Sequence, residues 1–378
     1  MNGHDEEYMR RALELASRGA GWVNPNPMVG AVIVRDGRII GEGWHERFGQ
    51  LHAERNALAD CRERGENPAG ATAYVTLEPC CHYGKTPPCT EALIEACVAR
   101  VVIGSSDPNP LVAGKGCEQL REHGIEVEGP LCEAEALELN APFFHFITTG
   151  RPLVVLKYAM TMDGKIATFT GESKWITGEE ARANVHRDRG RYAAIMVGRG
   201  TVEADDPMLT CRVDGGHDPL RIVCDSRLSI SFDSQIVQTA REVPTVIATC
   251  CDDRAAAAPY EEAGCEVLVL PNASAATEDG AWRVDLNALV AALGERKIDS
   301  LYIEGGATLA ASSLAAGIVD RVHAYVAPKL FGGTAAPGPI GGIGVEHPAD
   351  CTRLVNTTVR RLGDDFLFES EVAACSQE

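Results

Sequence analysis

The chain has 378 residues, of which 45% are hydrophobic and 24% charged, an ordinary globular composition that excludes disordered and fibrous classes and leaves room for roughly two to three domains. Its 54 acidic and 35 basic side chains give a formal net charge of −19, divided as −9 over residues 1–150 and −10 over 151–378, so neither half suits a polyanionic nucleic-acid partner. The 14 cysteines lie in a long chain whose MNGHDEEYMRR start lacks the apolar core of a signal peptide, and reduced thiols in a cytoplasmic protein are expected. No uncharged stretch, 305–319 included, reaches the roughly 18 residues of a membrane span, so no membrane partner is expected.

Apolar residues at Met9, Ala12, Leu13 and Ala16 predict an amphipathic helix over 5–18, ended by Gly19-Ala20-Gly21. Strands at 31–34 and 39–44 flank Asp36-Gly37, a dipeptide suited to a type I′ hairpin turn. A helix over 52–64, a strand at 71–77, a helix at 90–97 and a strand at 100–104 follow. After a loop at 105–115 come a helix near 117–123 and a short strand at 125–128. The alternation breaks at FFHFITTGRP (143–152), which places a boundary between domains 1–147 and 148–378. Beyond it the pattern predicts strands at 153–158, 193–197, 220–224, 245–248, 266–270, 300–303, 321–326 and 365–369. Helices are expected over 179–191, near 286–293 and after Gly306. Both halves read as α/β.

His52-Ala53-Glu54 opens a predicted helix, and Glu78-Pro79-Cys80 and Pro87-Pro88-Cys89 bracket a loop that ends at the next one. One imidazole and two thiolates suit Zn²⁺, and three protein ligands leave a fourth position for water. Glu54, two residues from His52, is placed to carry protons without binding the metal, the pairing that hydrolytic deamination requires. H-x-E with P-C-x-x-C is the signature of zinc nucleobase deaminases; here a longer loop separates the thiols, and Cys81 beside Cys80 offers a second sulfur. Cys80 is favoured because it directly follows Glu78-Pro79.

Together with VNPNPMVGAVIV (23–34), GEGWH (41–45) and LEPCCHYGKTPPC (77–89), these motifs make the first half resemble the pyrimidine deaminase half of the bifunctional riboflavin-biosynthesis deaminase/reductases. The resemblance implies a cytidine-deaminase-like three-layer α/β/α domain. It implies one zinc ion on His52, Cys80 and Cys89, Glu54 as proton shuttle, and Asn24, His45, His82 and Lys85 at the substrate. One departure is Cys81, where the family commonly has serine.

In the second half YIEGGATLAASSL (302–314) predicts a buried strand running into Gly305-Gly306 and a helix, a connection that lets backbone approach phosphate. With KYAMTMDGKIA (157–167), GESKWITG (171–178) and GRGTVEADDPMLTCR (198–212), it resembles the reductase half of the same family. That resemblance implies a dihydrofolate-reductase-like α/β domain using NADPH. It assigns Ala159, Trp175, Thr201, Asp205, Ser226, Gly305, Gly306, Ala307 and Thr308 to the cofactor. Lys157, Ser173, Arg189, Leu209, Arg212 and Glu304 fall to a ribosylamino substrate carrying a 5′-phosphate. Asp163 lies in a family motif with no role derivable from the residues. The expected partners are small phosphorylated pyrimidines, and self-association is compatible with the resemblance.

Overall fold

A computed structural model describes residues 4–83, 87–109, 112–273 and 282–373. The chain divides into two compact units after Gly150. The boundary expected at 147/148 falls inside a helix, Ala141–Thr149, closed by Gly150 at φ 70°. Its Phe and Thr residues have modest helix propensity. The Thr148 and Thr149 hydroxyls bond back to the carbonyls of Phe144 and His145 within the helix.

The first unit runs α1 (Asp5–Ser17), β1 (Gly30–Arg35), β2 (Arg38–Trp44), α2 (Ala53–Glu63), β3 (Thr72–Val75), α3 (Cys89–Glu95), β4 (Arg100–Ile103), α4 (Lys115–Glu122), β5 (Glu126–Glu128), α5 (Glu133–Leu139) and α6 (Ala141–Thr149). The sheet order is β2-β1-β3-β4-β5; β1 is antiparallel to both neighbours, and β3, β4 and β5 are parallel. Alternation along β1 sends Val32 and Val34 to a core with Met9, Ala12 and Leu15 of α1. Ala31 and Ile33 face the opposite core, with Ala57 and Leu58 of α2, Leu93 of α3 and Leu120 of α4. Three layers result. Asp36 and Gly37 take φ of 54° and 73° at the hairpin, as a type I′ turn requires.

Gly43 on β2 explains how close α2 comes to the sheet: a Cβ there would lie 2.3 Å from the Ala57 nitrogen and 2.6 Å from the Ala53 carbonyl. Backbone cannot yield as a flexible side chain does. Gly43→Ala is therefore expected to destabilise the first unit by about 2–3 kcal/mol, read as a lower denaturant midpoint with unchanged slope.

The second unit runs β6 (Leu153–Thr161), α7 (Glu179–Arg191), β7 (Ala194–Gly198), α8 (Arg199–Asp205), β8 (Leu220–Cys224), α9 (Gln235–Gln238), β9 (Thr245–Thr249), α10 (Arg254–Ala263), β10 (Glu266–Val269), α11 (Leu286–Glu295), β11 (Ser300–Glu304), α12 (Ala307–Ala315), β12 (Arg321–Ala327), β13 (Leu354–Leu362) and β14 (Asp365–Val372). The sheet order is β10-β9-β8-β7-β11-β6-β12-β14-β13, parallel as far as β12 and antiparallel in the last two pairings. One face packs Leu156, Met196, Ile222 and Ile303 on α11 and α12. The other packs Ile195, Val197, Val223 and Ile247 beneath α9 and α10. Helices α8, α9 and α10 and strand β13 are not foreseen in the residue patterns. Among the described residues no helix is long and apolar enough to cross a membrane.

Candidate active sites

In the first unit, two helix starts and one strand exit converge. His52 caps α2 with extended backbone (φ −79°, ψ 165°), Cys89 is the first residue of α3, and Cys80 lies in the segment leaving β3. His52 Nδ1 is 3.5 Å from the Sγ of Cys80 and 3.5 Å from that of Cys89. The three donor atoms lie within 4.8 Å of one another. A tetrahedral ion with bonds of about 2.3 Å to sulfur and 2.0 Å to nitrogen would hold such donors about 3.5 Å apart, so the set fits zinc. The neighbouring Cys89 thiol and then His52 hold Cys80 down to about 4, whereas the Cys80 thiolate and burial push Cys89 up. A divalent cation favours ionisation of both. Cys81 is not part of the cluster, and burial raises its thiol.

Glu54, in the first turn of α2, is buried, and its carboxyl is raised by that burial and then by the Cys80 thiolate. Arg55, beside it, donates to the carbonyls of Pro87 (3.2 Å) and Pro88 (2.8 Å), tying α2 to the backbone just ahead of Cys89. Nothing in the H-A-E motif signals that role.

A cavity of about 260 Å³ opens on this cluster, with Asn26, His45, Glu54, His82, Asp107 and Asn109 among its lining residues. His45 is buried; its Nδ1 faces the Leu51 carbonyl at 3.0 Å, an acceptor, so the ring donates there and presents Nε2 to the Asn26 amide at 3.2 Å. Burial lowers the His45 pKa and favours this neutral form. Among the described residues, Nδ1 of His82 is buried without a hydrogen-bond partner. Asn24 is half-buried and does not line the cavity; Asn26, two positions on in the same VNPNP run, does. Lys85 lies outside the described residues.

The loop carrying Asp107 and Asn109 is organised by Glu78, whose carboxylate accepts from the backbone N–H of Gly114 (3.0 Å), Cys117 (3.2 Å) and Asp107 (3.4 Å). Burial pushes Asp107 up to about 6. The sequence marks Glu78 as part of Glu78-Pro79-Cys80 but gives no sign of its contact with Asp107, which spans about 30 positions.

In the second unit the singled-out residues gather at the carboxyl ends of β6, β7, β8 and β11, the crevice where open parallel sheets bind ligands. Glu304 at the end of β11 is buried and accepts from Arg189 of α7 at 2.6 and 3.0 Å and from Lys157 of β6 at 3.3 Å. Burial works against its charge, yet Arg189 and Lys157 outweigh it and hold the carboxyl at about 2. The Arg189 fork is thus committed to Glu304. Arg212 is exposed.

Gly305 and Gly306 follow β11 with φ of 98° and 83°, and a Cβ on either would approach the Thr201 hydroxyl, at 3.6 and 3.3 Å. The structure therefore sets Thr201 against the glycine pair. Ser173 donates to Asp205 at 3.2 Å. Trp175 is 63% exposed, under the Arg182 guanidinium 4.6 Å from its ring centre. Ser226 is half-buried just past β8, Ala159 is half-buried on β6, and Ala307 and Thr308 open α12. The Leu209 side chain is 2% exposed in the core under α9, which leaves only its backbone for a ligand.

Sequence comparison agrees with this division of labour. The profile of the RibD C-terminal domain matches residues 152–368, and that of the cytidine and deoxycytidylate deaminase zinc-binding region matches residues 2–105. The riboflavin biosynthesis protein RibD of Actinobacillus pleuropneumoniae is 53% identical over 365 residues, covering 97% of this chain and 94% of its own. That of Escherichia coli is 42% identical over 374 residues, covering 96% and 97%. A Thermotoga maritima crystal structure described as a diaminohydroxyphosphoribosylaminopyrimidine deaminase/5-amino-6-(5-phosphoribosylamino)uracil reductase superposes with a TM-score of 0.82 at 39% identity, covering 98% of this chain and 99% of its own. Acinetobacter baumannii RibD superposes at 0.84 with 37% identity and the same coverage. The zinc-type cluster at the start of α2 and the parallel-strand crevice with its glycine turn are thus the two halves of one enzyme, and the chain belongs to the RibD family of bifunctional deaminase/reductases of riboflavin biosynthesis.

Proposed function

We propose that the first unit deaminates 2,5-diamino-6-(5-phosphoribosylamino)pyrimidin-4(3H)-one to 5-amino-6-(5-phosphoribosylamino)uracil, and that the second reduces the ribosyl group of that product to a ribityl chain with NADPH. The observation that carries the first step is the convergence of the His52, Cys80 and Cys89 donors with buried Glu54 on the wall of one cavity. His52, Cys80 and Cys89 would hold one zinc ion. When bound, zinc supplies water acidified to a pKa of roughly 7. Glu54 takes a proton from the attacking water and returns it to the departing amine, so water and the amine are exchanged for a carbonyl and ammonia. His45, kept neutral by burial and held in one tautomer by the Leu51 carbonyl, and His82 orient the pyrimidine. Lys85 belongs to the same substrate set, and Asn26, on the cavity wall, takes the part the resemblance gives to Asn24.

In the second unit Ala159, Trp175, Thr201, Asp205, Ser226 and Gly305 to Thr308 would form the dinucleotide cleft, with the glycine turn and the start of α12 at its phosphates. When bound, NADPH supplies the hydride that reaches C1′ of the opened ribosylamino group. Lys157 and Glu304 hold the substrate with Ser173, Arg212 and the Leu209 backbone, and Arg189 orients Glu304. Purified protein loaded with zinc is expected to release one ammonia per substrate and then oxidise one NADPH. Chelation should stop ammonia release and leave reduction of supplied intermediate intact. Failure of either half-reaction in zinc-loaded protein overturns the corresponding assignment.

A further inference from the structure

The motif TMDGK (161–165) enters neither half-reaction, and the structure shows what it holds. Asp163 accepts from the Thr161 hydroxyl at 2.5 Å and from the backbone N–H of Phe331 (3.2 Å) and Gly332 (2.7 Å). Met162 N–H bonds the Lys329 carbonyl at 2.9 Å, Lys165 Nζ reaches the Ala336 carbonyl at 3.0 Å, and Ile166 N–H reaches the Pro337 carbonyl at 3.0 Å. The segment after β12 is therefore bolted along the turn that follows β6. Two further ties run from it. Lys329 Nζ donates to the carbonyls of Trp175 (2.9 Å) and Ile176 (2.6 Å), and Gly341 N–H donates to the carbonyl of Ala307 at 2.9 Å.

We propose that Lys329 is a positioning residue for the dinucleotide, fixing the Trp175 backbone through a segment that Asp163 anchors and that also reaches Ala307. The proposal rests on the reading of Trp175 and Gly305 to Thr308 as cofactor residues. Its physical basis is that a single ammonium satisfies two successive carbonyls, so the peptide plane between them has one orientation. The ring of Trp175 is 63% exposed with Arg182 stacked on it, so its place depends strongly on that backbone. Ser173, on the near side, is held separately by Asp205. Lys329 thus acts on the Trp175 backbone, whereas Ser173 has its own tie.

The test is steady-state reduction of supplied deaminated intermediate by Lys329→Met, Lys329→Arg and Trp175→Ala in the full chain, with NADPH and pyrimidine varied in turn. Lys329→Met is expected to raise the NADPH KM about fivefold to tenfold, the loss of a charge-assisted contact, while kcat and the pyrimidine KM stay within about twofold. Lys329→Arg, which keeps the donors, should recover most of the loss. A parallel fall in kcat, both KM terms and the thermal midpoint, unrescued by arginine, would mark a merely structural residue and overturn the proposal. An unchanged NADPH KM in Lys329→Met with a raised one in Trp175→Ala also overturns it, and leaves the cofactor assignment standing. If neither variant moves the NADPH KM, that assignment falls and the proposal falls with it.

Discussion

Glu54→Gln is expected to reduce ammonia release by at least about 10³-fold while zinc content stays at the wild-type level. The substitution keeps the volume of a side chain that is 3% exposed on the cavity wall, and it leaves His52, Cys80 and Cys89 untouched. What it removes is a group able to take a proton and return it. Ammonia assay and metal analysis on the same preparation separate a proton carrier from a metal ligand, since loss of a ligand would lower both. Reduction of supplied intermediate should proceed at the wild-type rate. Normal deamination by the variant would end the assignment of Glu54.

Glu304→Ala has the largest expected effect in the second unit. Arg189 and Lys157, with side chains 14% and 15% exposed, would be left facing each other without a carboxylate. Removing one partner of such a buried cluster costs about 3–5 kcal/mol, read as a lower denaturant midpoint of the second unit, and reductase turnover should be lost. A pH signature accompanies it. The carboxyl sits at about 2 in the folded protein against an ordinary 4.5. A depressed folded pKa contributes stability that is complete above the unfolded value and is lost as pH falls from about 4.5 through about 2. Wild-type protein should therefore lose stability over that interval more steeply than the variant. Equal slopes would show that Glu304 is not held ionised by its two cations.

Much of the second unit's parallel sheet is legible because β6, β7, β8, β9 and β11 are mainly apolar segments, interrupted only by single charges such as Lys157, Arg221 and Glu304, the pattern of strands covered on both faces. Strand β13 shows the converse. All but one of its residues are exposed, so LVNTTVRRL has no alternation to read, and only its pairing with β14 makes it a strand. Helix α10 is obscured by Pro259 inside it, and its start depends on Asp253 accepting from the Ala255 N–H at 2.9 Å. The last helix of the first unit, α6, is rich in aromatic and β-branched residues, and its end is set by Gly150.

The sites divide in the same way. His52, Glu54, Cys80 and Cys89 are legible as candidates because a catalytic zinc site needs those residue types at short local spacings, here two helix starts and a strand exit, a constraint of spacing and chemistry. Asn26, Glu78, Asp107 and Lys329 act through contacts between segments far apart in the chain, and local spacing carries no record of them. Sequence by itself determined the α/β class, the two-part organisation and the family, and it named candidate reacting groups, since each of these follows from short-range pattern and residue chemistry. Tertiary structure alone decided that the Arg189 fork belongs to Glu304, that Leu209 offers only backbone, and which loops hold the two sites in shape. Those outcomes depend on burial and on which polar groups meet inside the fold, where an unpaired charge or carbonyl is costly.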